Sequence, residues 1–260
     1  MYEPIPPPPR PASETLPTMY DLPSEEVGDP GLPDEFHVIQ TDFLKKTCRL
    51  PHKNRNEYFI AIDLNLYYDV RNPLWYKRPD WFFVLDISDF SQQQDLRLSY
   101  VTWQEGINPF LVVELLSPGT EDDDLGERLR DASKPPSKWQ VYEQILRVPY
   151  YVVYDRYVNN LRVFRLQGSE YEELVLENQK IWFKELQLGL GLWQGEYENT
   201  TGLWLRWFDN NNQWISTPEE LAQIESLRAQ EERLRAERER QRADRLAEYL
   251  RSQGIDPDNV

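Results

Sequence analysis

The chain of 260 residues is long enough for one domain of ordinary size with appended segments. A single cysteine excludes an intramolecular disulfide, and the lack of an apolar run of about 20 residues argues against a membrane-spanning helix, so we expect a soluble cytoplasmic protein. The net charge of −16 opposes tight, non-specific binding of nucleic acid, because such binding needs lysine and arginine to displace counterions, although bound divalent cations could offset the charge locally.

The N-terminal segment, residues 1–34, is dense in proline and acidic residues and carries few apolar side chains. Such a composition cannot bury enough apolar surface to form a packed core. We predict that this segment is a disordered tail, with a proline-rich ligand for a partner protein as the alternative. The predicted folded domain spans residues 35–215, and a separate charged helix occupies residues 216–260.

From residue 35 onwards the hydrophobic pattern predicts helices and strands in a mixed order. In chain order these are a helix in DEFHVIQTDFLKKTC, strands in EYFIAIDLNLYYDV, RPDWFFVLDIS and NPFLVVELLS, a helix in SKWQVYEQILRV, two or three strands in PYYVVYDRYVNNLRVFRLQGSEYEELVL, and a last strand or hairpin in LWLRWFDNNNQWI. A helical interpretation of residues 55–68 stays open, and Asn159 and Asn160 suit a hairpin turn. The order predicts an α/β fold with a mixed central sheet flanked by helices.

The C-terminal residues have strong signals for the start and the end of a helix. Thr217 suits the N-cap, Pro218 the first helical position and Glu220 the capping box, and Gly254 suits the end. The apolar positions of this helix are sparse, and its middle is nearly all arginine and glutamate. We expect a long charged helix that projects into solvent or forms a weak coiled coil, which would be the route to a homodimer.

One acidic residue, Glu114, stands inside the apolar run FLVVELLSP. An ionised carboxylate in a strand buried on both faces costs several kcal/mol unless a partner compensates it. Asp80, at the entry of the preceding strand, and Lys138, on the following helix, can converge on it. Two carboxylates on adjacent strands can hold a divalent cation, and a nearby lysine can neutralise developing charge. The alternatives are a paired core glutamate, a turn aspartate and a solvated helix lysine.

These motifs together resemble a known family. The sequence has Pro-Asp before one strand, Val-Val-Glu-x-x-Ser-Pro in the next, Lys-x-x-x-Tyr on a helix and a further strand that ends in Asp. This pattern resembles the Uma-type family of restriction-endonuclease-like proteins, in the PD-(D/E)xK nuclease superfamily, over roughly residues 50–208 and in the arginine-rich tail. The resemblance implies a restriction-endonuclease-like core and a Mg²⁺-dependent (or Mn²⁺-dependent) endonuclease that acts on DNA.

The resemblance also implies roles for particular residues. Asp80 and Glu114 match the metal-binding carboxylates of the family, and the backbone carbonyl of Leu115 would be a further ligand. Lys138 matches the catalytic lysine on the helix. Lys134 competes for that role, because the insertion LRDASKPPS precedes the helix.

The sequence departs from the superfamily pattern at Leu116, where the usual motif has lysine. The run Glu121, Asp122, Asp123 and Asp124 predicts an acidic loop beside the site, with an extra metal ligand as the alternative.

A different class of function stays open, namely a catalytically inactive nuclease fold that serves as an interaction or assembly module. The acidity, the long charged helix and the proline-rich tail favour it. An active nuclease needs a basic rim around the carboxylates, for which Lys77, Arg78, Lys134 and Lys138 are the candidates. The two histidines are too few for a histidine-rich zinc site, and no glycine-rich phosphate loop indicates a nucleotide cofactor.

Overall fold

The computed structural model describes residues 34–87, 96–117, 124–126 and 135–254 of the chain. Almost all of the predicted N-terminal tail lies outside these residues. Lys134 lies outside them as well, and so do Glu121, Asp122 and Asp123 of the acidic run.

The chain forms two compact units, Met1–Ile215 and Ser216–Val260. The described helices of the first unit are α1 (Glu35–Thr47), α2 (Thr102–Glu105) and α3 (Lys138–Gln140), which continues into a π-helical turn (Val141–Ile145). A 3₁₀ turn (Arg55–Glu57) precedes the first strand. Its described strands are β1 (Tyr58–Ile62), β2 (Leu66–Tyr67), β3 (Tyr76–Lys77), β4 (Trp81–Leu85), β5 (Tyr100–Val101), β6 (Leu111–Leu115), β7 (Tyr150–Asp155), β8 (Asn160–Gln167), β9 (Glu170–Glu173), β10 (Lys180–Phe183), β11 (Leu188–Tyr197) and β12 (Thr200–Phe208).

Six of these strands form the central sheet, in the order β1-β4-β6-β7-β8-β9. Only the pair β6 and β7 is parallel among its neighbours, so the sheet is mixed. Every residue of β6 is buried, as its unbroken apolar run predicts. One face of the sheet packs with residues of α1, and the other with residues of α3. The predicted α/β class with a mixed sheet flanked by helices is confirmed.

A second antiparallel sheet, β10-β11-β12, adds to the core on the α1 side. The sequence predicts only its last strand. A third, small sheet has the order β3-β2-β5; β2 and β3 lie between β1 and β4 along the chain, and β5 lies between β4 and β6.

Two local predictions are wrong. The strand expected in EYFIAIDLNLYYDV is split into β1 and β2, because Asp63 takes a left-handed conformation (φ 50°) that turns the chain. In the hairpin between β7 and β8, Asn159 has φ 54° as expected, but Asn160 pairs with Asp155 and belongs to the strand.

The second unit contains a helix of 35 residues, α4 (Pro218–Ser252). Its start confirms the predicted capping box, since the Thr217 hydroxyl accepts from the Glu220 N–H (3.1 Å) and the Glu220 carboxylate accepts from the Thr217 N–H (2.8 Å). The helix ends two residues before Gly254, and none of its described residues is buried. Within the described part of the chain, no helix is both long and apolar enough to cross a membrane.

Candidate functional site

Asp80 and Glu114 meet where the ladder between β4 and β6 ends. The last paired residues of that ladder are Trp81 and Val113. One residue further, side chains replace the main-chain pairing: the Asp80 N–H donates to Glu114 Oε2 (3.3 Å), and the Leu115 N–H donates to Asp80 Oδ2 (2.6 Å). Glu114 thus accepts from the main chain of Asp80, and Asp80 accepts from the main chain of the residue after Glu114. These two hydrogen bonds hold the acidic side chains together at one end of the strands.

Glu114 is fully buried, and three donors compensate its charge. Its exposed fraction is 0 %, and besides the Asp80 N–H it accepts from Lys138 Nζ at Oε2 (2.9 Å) and from the Tyr142 hydroxyl at Oε1 (2.8 Å). Lys138 and Tyr142 lie four residues apart along the helix, so both face the same side. The structure thus brings together Asp80, Glu114 and Lys138, the three residues that the sequence singles out.

A third carboxylate, Asp124, joins this cluster. Lys138 Nζ lies 2.9 Å from Asp124 Oδ1 as well as 2.9 Å from Glu114 Oε2. Asp124 is 1 % exposed, and its main-chain oxygen accepts from the Tyr151 hydroxyl (3.0 Å). The described part of the site therefore contains three carboxylates, those of Asp80, Glu114 and Asp124, and one ammonium group.

Burial and this excess of negative charge together affect the protonation of the cluster. Burial raises the pKa of Glu114 well above its ordinary value; the charge of Lys138 opposes this rise, and Asp124 and Asp80 add to it. Burial acts to lower the pKa of Lys138, but the Asp124 and Glu114 carboxylates outweigh it and hold that pKa well above its ordinary value. Lys138 therefore keeps its proton at neutral pH, and the cluster attracts cations.

The helix that carries Lys138 widens directly after its first turn. Residues Val141–Ile145 form a π-helical turn, in which the Leu146 N–H donates to the Val141 carbonyl five residues earlier (2.8 Å). Ser137 caps the start of the helix, because its hydroxyl accepts from the Gln140 N–H (3.2 Å). Such wide turns occur often at functional sites.

His37, to which the sequence patterns assign no role, lies beside the site. His37 Nε2 donates to the Leu115 carbonyl (3.1 Å), and Nδ1 lies 2.8 Å from Asp34 Oδ1. The N-cap position of Asp34, three residues before His37, could be recognised in the sequence. The contact with Leu115 could not, since it joins residues 78 positions apart.

The oxygen atoms of this cluster suit a divalent cation. The carboxylates of Asp80 and Glu114 and the carbonyl of Leu115 are hard donors of the kind that Mg²⁺ binds. Three carboxylates against one ammonium leave an excess charge that a divalent cation would balance. Among the described residues, no group of three or more His, Cys, Asp or Glu side chains is arranged to hold a metal ion. The assignment of Asp80, Glu114 and the Leu115 carbonyl as metal ligands stays a prediction.

The expected basic rim is weak among the described residues. Arg78 forms an ion pair with Asp63, and Lys138 is committed to the buried carboxylates. Lys77 is half-buried on β3, and Lys134 lies outside the described residues. Among the described residues, the surroundings of Asp80 are therefore less basic than the sequence predicts for a nuclease.

A mixed α/β sheet with two carboxylates at the ends of its central strands and a lysine on the adjacent helix defines a protein of the restriction-endonuclease-like class. The model of the Uma2 family, described as "Putative restriction endonuclease", matches residues 12–197. The match covers more than half of the chain, so the protein belongs to the Uma2 family. No curated protein matches this chain significantly.

Proposed function

We propose that this protein is a Mg²⁺-dependent endonuclease that hydrolyses phosphodiester bonds in DNA. The observation that carries the proposal is the cluster at the end of β4 and β6, where three buried or half-buried carboxylates face one ammonium group. Membership in a family described as "Putative restriction endonuclease" supports this reaction class. Mn²⁺ is the natural substitute for Mg²⁺, since both prefer oxygen ligands.

In this proposal, Asp80, Glu114 and the carbonyl of Leu115 hold the cation. When bound, a divalent cation polarises a phosphoryl oxygen and lowers the pKa of a coordinated water molecule. The hydrogen bonds between Asp80 and the Leu115 N–H and between Glu114 and the Asp80 N–H keep the ligands in place before the cation arrives. Tyr142 and Lys138 fix the Glu114 carboxylate from the other side.

Lys138 acts as a fixed positive charge in the proposed reaction. The neighbouring carboxylates keep its pKa well above the ordinary value even though burial opposes this, so the ammonium group does not accept a proton from water at neutral pH. It can donate hydrogen bonds to the attacking water or to the phosphate and can offset the charge that develops there. Lys134 remains the competing candidate for this role.

The test is calorimetric titration of Mg²⁺ and Mn²⁺ into the wild type and into Glu114→Gln, which keeps the shape of the side chain and removes its charge. Glu143→Gln is a matched control, because Glu143 is also a buried glutamate; it lies in the helical segment after Lys138 and accepts from the Tyr171 N–H (2.8 Å). We expect the wild type and the control to bind the cation and to nick plasmid DNA, and Glu114→Gln to do neither. Cation binding and nicking that survive in Glu114→Gln would refute the proposed role of Glu114.

A catalytically inactive nuclease fold is the second candidate. The observation in its favour is that both oxygens of Glu114 already accept hydrogen bonds, which makes it a well-paired core residue without any cation. A folded wild-type protein that binds neither cation and nicks no DNA would select this candidate. The search for partners would then begin with α4 and the N-terminal segment.

We also propose that the protein forms a homodimer through α4. Leu227 and Leu234 lie seven residues apart on this helix and are 54 % and 52 % exposed, which suits one side of a coiled-coil seam. Sedimentation equilibrium should show a dimer for the wild type and a monomer for the double variant Leu227→Arg and Leu234→Arg. Val175→Arg, at a 96 % exposed position outside this helix, is the control and should stay dimeric. A monomeric wild type would contradict the proposal.

A further inference from the structure

The main chain of Leu115 is held on both sides of its Cα atom, at the N–H and at the carbonyl oxygen. Its N–H donates to Asp80 Oδ2 (2.6 Å), and its carbonyl oxygen accepts from His37 Nε2 (3.1 Å). The hydrogen bond from the Leu115 N–H therefore fixes the side chain of Asp80, a proposed ligand. The hydrogen bond from His37 fixes the Leu115 carbonyl, which is also a proposed ligand. The last residue of β6 is thus linked both to α1 and to the residue that precedes β4.

The imidazole ring of His37 is itself anchored. Nδ1 lies 2.8 Å from Asp34 Oδ1, and that oxygen also accepts from the His37 N–H (3.0 Å). Asp34 forms an ion pair with Arg156, whose guanidinium group lies 4.8 Å from the centre of the Phe36 ring. His37 is 9 % exposed, so the ring has little freedom to turn away. The first turn of α1 thus presents Nε2 to Leu115 in a fixed orientation.

We propose that His37 is a positioning residue of this site: it orients the Leu115 carbonyl and, through the main chain of Leu115, the N–H that binds the Asp80 carboxylate. The inference deepens the proposed function and rests on it for the part that concerns the cation. Side chains that orient ligands by hydrogen bonds typically change metal affinity about 10-fold to 100-fold when they are removed. His37 would act in this way through a main-chain carbonyl.

Two amide variants separate this role from a merely structural one. The amide nitrogen of Gln reaches about as far as Nε2 of histidine, and that of Asn about as far as Nδ1. His37→Gln can therefore still donate to the Leu115 carbonyl, whereas His37→Asn can keep only the contact with Asp34. His52→Asn is the matched control, because His52 is the other histidine of the chain and is exposed.

The first arm of the experiment titrates Mn²⁺ into the full-length wild type and the three variants by calorimetry. We expect about a 10-fold loss of affinity in His37→Asn and affinities near that of the wild type in His37→Gln and His52→Asn. Equal affinities in His37→Asn and His37→Gln, whether both lost or both kept, would overturn the positioning role. Circular dichroism and the melting temperature establish that each variant is folded.

The second arm needs no cation and so remains informative if the proposed function fails. Hydrogen exchange of the Leu115 amide, followed by nuclear magnetic resonance without metal, reports the hydrogen bond to Asp80. We expect faster exchange in His37→Asn than in His37→Gln and the wild type. If the wild type binds no cation but this difference is seen, the proposed nuclease fails while the positioning role stands. Identical exchange in the two His37 variants would overturn the inference on its own.

Discussion

A carboxylate in the middle of a sheet is tolerated only when hydrogen bonds from its neighbours replace those that water made in the unfolded chain. Glu114 receives such hydrogen bonds from a lysine, a tyrosine and one main-chain N–H. The same neighbours give the residue its chemical character. Asp80 and Asp124 add negative charge, and among the described residues Lys138 opposes it. A divalent cation would therefore balance the cluster, whereas a single proton would leave one negative charge.

Removal of the ammonium group should destabilise the protein strongly. Lys138→Met keeps most of the side-chain volume but leaves the buried Glu114 and Asp124 carboxylates without their cation, so we expect the free energy of unfolding at pH 7 to fall by about 3–5 kcal/mol. Urea denaturation measures this loss. In an Asp124→Asn background the same substitution should cost less, since one of the two charges is gone. Equal costs in the two backgrounds would show that Asp124 is not coupled to Lys138.

The Asp34 carboxylate should make stability depend on pH in the acid range. Burial acts to raise the pKa of Asp34, but its hydrogen bonds to His37 and the charges of His37 and Arg156 outweigh this, so the pKa lies below its ordinary value of 3.8. A lowered pKa in the folded state stabilises the protein above the ordinary pKa, and this contribution is lost as the pH falls through the lowered value. Wild type should therefore exceed Asp34→Asn in stability at pH 7, and urea denaturation near pH 3 should find a smaller difference.

Part of the site could be predicted from the sequence and part could not. Glu114 is conspicuous because a charge interrupts an apolar run, and Asp80 and Lys138 are indicated by the motifs around it. Asp124 could not be singled out, since it is one of four consecutive acidic residues and nothing in their pattern tells which is buried. His37 acts through a main-chain carbonyl. Because every residue has such a carbonyl, no residue type in the sequence indicates this contact.

Among the secondary-structure elements, those with strong local signals were predictable and those rich in glycine were not. The strands of the central sheet have dense β-branched and aromatic residues, and α4 has a complete capping box. By contrast, β11 has the sequence LGLGLWQGEY, in which three glycines weaken the strand signal. The reason for one of them is tertiary: a Cβ atom at Gly189 would overlap the Phe208 ring of the neighbouring strand.

Because of that close approach, we predict that alanine substitutions at two glycines of the same sheet have different effects on the free energy of unfolding. Gly189→Ala must displace the Phe208 ring, so we expect a loss of about 1–3 kcal/mol in the free energy of unfolding. Gly202→Ala is the control, because its Cβ would meet only an ordinary contact, 3.6 Å from Trp204 Nε1. Thermal and urea denaturation of both variants measures the difference. Equal stabilities would mean that the ring can move aside freely.

At the scale of the whole first unit, one cysteine reports on the integrity of the core. Cys48 is 2 % exposed in the cluster that joins α1 to both larger sheets, and burial raises the pKa of its thiol well above the ordinary value. The thiolate that reacts with disulfide reagents is therefore scarce and inaccessible in the native state.

We expect the rate at which Cys48 reacts with such a reagent at pH 7 to be limited by transient opening of the core. The reaction should become fast in guanidinium chloride, which unfolds the protein. Because the chain has no second cysteine, the rate measures a single site. Variants that destabilise the core, such as Gly189→Ala, should accelerate the reaction, whereas Gly202→Ala should not. A fast reaction in the native wild type would contradict the burial of this thiol.

The π-helical turn after Lys138 has a consequence for the register of the site. Each residue added to or removed from a helix rotates the segment before it by about 100° relative to the segment after it. Deletion of Gln144, which is exposed within the turn, would restore regular α-helical spacing and swing Lys138 out of line with Glu114, while Leu146 and Val148 kept their places in the core. The extra residue thus sets the rotation of Lys138 relative to the core residues that follow the turn. A family member without this residue would need its lysine at a different position along the chain.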